Sequence, residues 1–316
     1  MGGVMAASVW GLPQEKGCEM KRKYGNPVVA RASTVTPGLG GPALLKAVLR
    51  DCLAHVLPNA SAVAQGSLEP EHIHQMRVAL RRLRTALREL SRLEAGSDLG
   101  RHEPALAAAF RALGAVRDRQ TVIAQLEPTL NRAGIGPVRW RSGDAAPDSA
   151  TVAAEPRLQR ALTELMLYSV APVEALAAGQ ARPRRLIKRR IKKLHAEVSR
   201  NARRFQKLPV ERQHRVRKRL KRLRYLMELV QPMFGGKRMA TYLRAVHAAQ
   251  DALGRHNDVA VARALLDPAA LDASDPATTA ADAWLAQEAT QSARQSARAL
   301  RKLPNVRRVV KTRPGP

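Results

Sequence analysis

The stretch HIHQMRVALRRLRTALREL, residues 72–90, holds five arginines in nineteen residues. Its periodicity predicts a helix. An advance of about 100° per residue brings His74, Arg77, Arg81, Arg84 and Arg88 within roughly 80° of one another. Met76, Leu80, Leu83 and Leu87 form a second stripe centred about 120° away. An ordinary amphipathic helix sets charges of mixed sign opposite its apolar face. Here a single sign lies beside that face, and like charges one turn apart repel. An anion would offset that repulsion. Guanidinium forks bind phosphate bidentately and ammonium groups add point charges. Cations spaced about 5–6 Å apart suit a chain of closely spaced phosphates.

The pattern occurs twice. HQMRVALRRLR, 74–84, aligns with HRVRKRLKRLR, 214–224, at an offset of 140 residues. The second basic stripe is His214, Arg217, Lys221 and Arg224, with Glu228 where Arg88 would fall, beside Val216, Leu220, Leu223 and Met227. The same offset aligns LGAVRD, 113–118, with LGRHND, 253–258, so Leu113, Gly114 and Asp118 fall on Leu253, Gly254 and Asp258. A nearby offset aligns LLKAVLR, 44–50, with LIKRRIK, 186–192. Two matched blocks with the same gap between them imply a duplicated four-helix unit.

Each repeated residue admits a structural reading as well. The arginines could pair with acids of neighbouring helices, with Asp118 and Asp258 as candidates. Acids are scarce, however: residues 182–224 hold 20 Lys or Arg against Glu197 and Glu211. Asp118 and Asp258 suit an orienting role, fixing an adjacent arginine. Gly114 and Gly254 suit close helix packing. His74 and His214 fit phosphate hydrogen bonding better than catalysis, which would need a nucleophile or metal that the sequence does not display. Cys18 and Cys52 lie outside any CxxC or Cys/His cluster, so neither a metal nor a cofactor is expected.

Composition narrows the partner. Lys and Arg total 55 against 26 Asp and Glu, a net charge of +29, which implies a polyanion. Aromatics are 3% of the chain, too few for stacking on unpaired bases. Phosphate-only contacts with duplex nucleic acid stay open as the alternative. A membrane surface fits less well, because these helices read as built into bundles. No apolar run is long enough to span a bilayer. The two cysteines and the absence of a secretory signal point to the cytoplasm.

The expected fold is all-α, with long antiparallel helices near 42–57, 70–94, 103–127, 155–178, 183–206, 210–232, 238–266 and 279–302. Ser67 is the expected cap of the second of these, with Pro70 in its first turn. Residues 1–40 are expected to be a loose leader, with Met20 an alternative start. The core should run over 41–304, divided near 180, and 305–316 should be a disordered tail. Long loops are expected at 131–150 and 267–279.

HQMRVALRRLRTAL and HRVRKRLKRLRYLMEL, each followed by an LG…D block, resemble the CHAD family, the conserved histidine α-helical domain. The resemblance spans about 40–304. It implies two four-helix bundles related by a pseudo-twofold axis, with a basic groove or pore between them that binds inorganic polyphosphate. A phosphate or sulfate ion would occupy the same site. It also implies a stand-alone, non-enzymatic member associated with polyphosphate granules. The family's motif histidines fall on His74 and His214. Its basic residues fall on Arg77, Arg81, Arg82 and Arg84, and on Arg217, Lys221, Arg222 and Arg224. The aligned first helices add Lys46, Arg50, Lys188 and Lys192. Asn257 departs from the pattern, standing where the first copy has Arg117.

Overall fold

The computed structural model describes residues 24–94, 96–141, 147–173, 183–271 and 275–311, with the backbone alone over 115–121. Every regular element among them is helical, apart from one isolated bridge between Trp140 and Leu266. The helices are α1 (Gly41–Ala64), α2 (Pro70–Leu90), α3 (Glu103–Arg132), α4 (Ser149–Ala154), α5 (Pro156–Val170), α6 (Pro183–Ala202), α7 (Val210–Leu229), α8 (Gly236–Leu265), α9 (Pro276–Arg301) and α10 (Val306–Lys311).

Neighbours follow from the apolar faces. Helix α1 packs on α2, α2 on α3, α3 on α5, and α5 back on α1. In the second half α6 packs on α7, α7 on α8, α8 on α9, and α9 back on α6. Across the halves α2 meets α7 and α3 meets α8. Helix α1 buries Leu44, Leu45, Val48, Leu49, Leu53 and Val56, which cover about half its circumference. Full burial of each such side chain stabilises by about 1.5–3 kcal/mol. The stripes read from the sequence, Met76/Leu80/Leu83/Leu87 and Val216/Leu220/Leu223/Met227, are both in the core.

The boundaries depart from expectation at two prolines. Helix α1 runs through Pro58 and α3 through Pro128, so neither stops at 57 or 127. An interior proline removes one helical hydrogen bond. In α1 the turn beyond it gains from burial of Ala60 and Val63, and Asn59 Nδ2 donates to His55 O at 2.8 Å. In α3 the last turn is held by Leu130, 1% exposed in a second apolar cluster with Val259, Leu266 and Leu285. Ser67 is not the cap of α2. Its hydroxyl bonds His72 Nδ1 at 2.8 Å, and the N-cap is Glu69.

The described parts of the expected leader and tail, 28–35 and 306–311, pack on the fold. Asn59 exchanges two hydrogen bonds with the Val28 backbone, and Asp51 accepts from Ser33 Oγ, Thr34 N and Thr34 Oγ1. Ser33 Oγ also lies 2.8 Å from Leu229 O, so its single proton is shared between that carbonyl and Asp51. At the other end Val306, Val309 and Val310 of α10 are buried. The two expected long loops meet each other: Arg141 N donates to Leu265 O, and Asp267 N to Arg139 O. Residues 1–23 and 312–316 lie outside the described residues.

Candidate functional site

The first basic stripe rests on a residue that charge counting missed. The guanidinium carbons of Arg77, Arg81 and Arg84 lie 5.3, 4.6 and 5.4 Å from the centre of the Phe110 ring on α3. A ring face attracts cations, so Phe110 gathers three that would otherwise repel. One turn further along α3, a Cβ at Gly114 would come within 2.7 Å of Arg77 Nη1. Gly114 therefore makes room for a guanidinium, not for helix packing. Gly254 has nothing within 4 Å of a built Cβ, so close packing does not explain it either. The 140-residue offset places Gln250 where Phe110 stands, and Gln250 Oε1 is buried without a hydrogen-bond partner among the described residues.

The two stripes converge at Lys221. Burial pushes its ammonium pKa down to about 6, helped by Arg81 of the other half and by Arg217 and Arg224 of its own stripe. Asp258 opposes the shift. A lysine from one repeat is thus crowded by cations of both. His214 lies two turns away on the same helix, at the surface, its Nδ1 3.2 Å from Asn257 Oδ1. Partial burial and then Lys218 lower its pKa, the Asn257 bond raises it, and Arg217 and Lys221 lower it further. Asn257, the departure from the repeat, thus serves as the histidine's partner. His74, Arg77 and Arg81 are half-buried on the matching face of α2.

Other arginines of the stripes are neutralised by acids. Glu103 Oε1 accepts from Arg84 Nη2 and Arg88 Nη2, both at 2.7 Å. Arg224 Nε lies 3.0 Å from Glu228 Oε1, which His247 Nε2 also approaches at 3.2 Å. Arg82 is buried, with Nη1 3.5 Å from Glu228 Oε2 across the halves. In the reverse direction Arg222 Nη1 lies 3.6 Å from Glu89 Oε1, and Arg190 Nε 3.2 Å from Glu89 Oε2. Arg82 and Arg222 therefore tie the halves together instead of lining an open surface. The partners of Arg82, Arg84, Arg88, Arg222 and Arg224 are glutamates. Asp258 faces Lys221, while the Asp118 side chain lies outside the described residues.

Tyr225, the one aromatic inside a basic motif, is 4% exposed, and Phe110 carries three guanidiniums. Neither offers a free face to a base. Cys52 is buried, and that burial pushes its thiol pKa up to about 12, so it is inert as a nucleophile. No group of His, Cys, Asp and Glu among the described residues could hold a metal ion. No described helix is long and apolar enough to cross a membrane.

The sequence of the CHAD domain matches residues 47–267. The chain belongs to the CHAD domain family. The crystal structure of the CHAD domain from the plant Ricinus communis is similar, with a TM-score of 0.68 at 25% identity over 89% of this chain and 98% of that one. No curated protein matches the sequence.

The cations of the aligned first helices, Lys46, Arg50, Lys188 and Lys192, lie elsewhere than the stripes. Lys46 is buried and donates to Ala171 O and Pro172 O at 2.9 and 3.0 Å, with its ammonium 4.8 Å from the Tyr168 ring. Arg50 Nη1 donates to Ser169 O at 2.9 Å. Both satisfy carbonyls at the C-terminus of α5, where the helix dipole favours cations. Lys188 and Lys192 line a cleft on α6.

Proposed function

We propose that this CHAD protein binds inorganic polyphosphate, without turning it over, along a cationic track where α2 meets α7. The observation that carries the reading is the gathering of Arg77 and Arg81, both on α2, over the Phe110 ring, with α2 packed on α7, which carries Arg217 and Lys221. Arg81 of one repeat and Arg217 of the other disfavour a charge on Lys221, and an anion beside it would restore that charge. Phe110 holds Arg77 and Arg81 side by side, so that their forks suit successive phosphates, while Glu103 holds the Arg84 fork. His74 and His214 add hydrogen bonds at one end of each stripe.

The track is built, on this reading, from two four-helix bundles related by internal duplication about a pseudo-twofold axis. The order of helix neighbours is the same in both halves. The equivalent residues Arg82 and Arg222 each reach a glutamate near the end of the opposite repeated helix. Such a site would serve at polyphosphate granules in the cytoplasm. The pairing of His214 with an amide supports binding over acid–base chemistry, since a general base would be oriented by a carboxylate.

Titration with long-chain polyphosphate at about 150 mM salt tests the reading, with duplex DNA as the competitor. Displacement of DNA by polyphosphate is expected. Equal affinity for both would favour a general nucleic-acid-binding role. Phosphate release from polyphosphate with added Mg²⁺ or Mn²⁺ would overturn the non-enzymatic part.

A further inference from the structure

We propose that Lys221 is a modification site, at which the side-chain amine takes an acyl group from a small acyl phosphate held by Arg81 and Arg217. Such a reaction needs an uncharged amine beside a cradle for phosphate. The seam between α2 and α7 brings the two together.

The cradle comes from two helices. On α7, Arg217 stands one turn before Lys221 and Arg224 about one turn after it, so all three share a face. Residues three or four apart on a helix have Cβ atoms about 5–6 Å from each other. Helix α2 packs on α7, and the charge of Arg81 reaches Lys221 from there. The Arg81 guanidinium is held 4.6 Å from the centre of the Phe110 ring. Arg224 is engaged by Glu228, with Nε 3.0 Å from Oε1. Arg81 and Arg217 are therefore the pair set to hold a phosphate beside the amine. Guanidinium forks bind phosphate oxygens bidentately.

The same cations prepare the amine. Burial first, and then Arg81, Arg217 and Arg224, push the Lys221 pKa down to about 6, while Asp258 of α8 raises it. An ordinary lysine sits near 10.4. At pH 7.5 roughly one ordinary lysine in 800 has its lone pair uncovered, whereas Lys221 is almost wholly neutral. Lower basicity offsets part of that gain. Lysines desolvated or set beside another cation are activated as nucleophiles in this way. Lys221 is half-buried, which leaves an approach for a small reagent.

The step balances as written. The Nζ lone pair attacks the acyl carbon, the bond from that carbon to the phosphate oxygen breaks, and the amine proton leaves with the phosphate. A lysine amide and inorganic phosphate result. The amide carries no charge at any pH, so acylation subtracts one cation from the track. That consequence rests on the polyphosphate reading of the track, whereas the acylation itself does not.

Incubation of the full chain with acetyl phosphate, followed by digestion and mass spectrometry, reads the rate at Lys221. At pH 7.5 the folded protein should react there roughly tenfold faster than the same chain unfolded in guanidinium chloride. Between pH 7 and 9 the rate should stay nearly flat when folded and climb about tenfold per pH unit when unfolded. At pH 9, Arg217→Ala, with its fold checked by circular dichroism, should slow the reaction with acetyl phosphate but not with an uncharged acetyl ester. No acetylation at Lys221, a rate no greater than in the unfolded chain, or an equal effect of Arg217→Ala on both reagents would overturn the inference. Long-chain polyphosphate should protect Lys221. Fast acetylation that polyphosphate does not slow would bear out the acylation site and overturn the polyphosphate track.

Discussion

Binding of polyphosphate should draw protons from solution, and Lys221 is where most of them should go. In the anion-free protein its pKa is pushed down to about 6 by burial and by Arg81, Arg217 and Arg224. The unfolded or anion-neutralised lysine sits near 10.4. At pH 7.5 the free group is therefore almost wholly neutral, and a phosphate placed against it restores the charge. Protonation is coupled to binding wherever pH lies between the free and the bound pKa. Each proton taken up weakens binding by close to tenfold per pH unit there, about 1.4 kcal/mol. Affinity should thus fall nearly tenfold between pH 7 and 8 and flatten below pH 6, where the free lysine is already charged. His214, also held low, adds its share in the same direction. Calorimetry at pH 7.5 in two buffers of different ionisation enthalpy reads the uptake directly. Long chains keep terminal phosphates, which titrate near pH 6, a minor contribution. Lys221→Arg, whose guanidinium stays charged, should abolish most of the uptake while keeping the affinity. Uptake unchanged in Lys221→Arg, or no uptake in the natural protein, would refute the placement of the anion against this side chain.

Three further outcomes follow from the geometry. Phe110→Leu removes three ring contacts of about 0.5–1 kcal/mol each and should weaken polyphosphate binding roughly tenfold with unchanged circular dichroism; full affinity would show that the ring merely fills space. Glu228→Gln leaves the buried Arg82 without its charge partner and should lower stability by about 3 kcal/mol in urea unfolding, whereas an unchanged midpoint would mean that solvent already screens the pair. Gly254→Ala meets open space in a helix interior and should stabilise by up to about 1 kcal/mol, while Gly114→Ala must displace the Arg77 guanidinium and should weaken binding; identical effects at the two positions would contradict their different surroundings.

Periodicity alone located the long helices, because their apolar stripes are the faces that bury. The starts of α2, α3, α6 and α7 at 70, 103, 183 and 210 are the expected ones. Prolines misled at 58 and 128, where tertiary burial outweighed a lost hydrogen bond. The leader and tail read as loose because Gly, Pro and Ser hide the few anchors: Val35, the hydroxyls of Ser33 and Thr34, and three valines at the end. At the site, the repeat picked out the helices but not the fate of each cation. Sequence spacing places a side chain on a face and says nothing of what stands opposite. Lys46 has the residue type and alignment of a ligand, yet its ammonium caps the carbonyls that end α5. Glu89, Glu103 and Glu228 are ordinary glutamates in the sequence, and only packing sets them against Arg222, Arg84 and Arg82. Phe110 had one legible signal: it lies one turn before Gly114, on the same face of a helix already matched to its twin.

The most direct test of the account is the affinity of Arg77→Ala combined with Arg217→Ala for long-chain polyphosphate, measured across a range of salt. The track predicts a large loss of affinity and a shallower salt dependence than the natural protein shows. Binding with the same affinity and the same salt slope would contradict it, and would make the net charge of +29 a property of the surface at large.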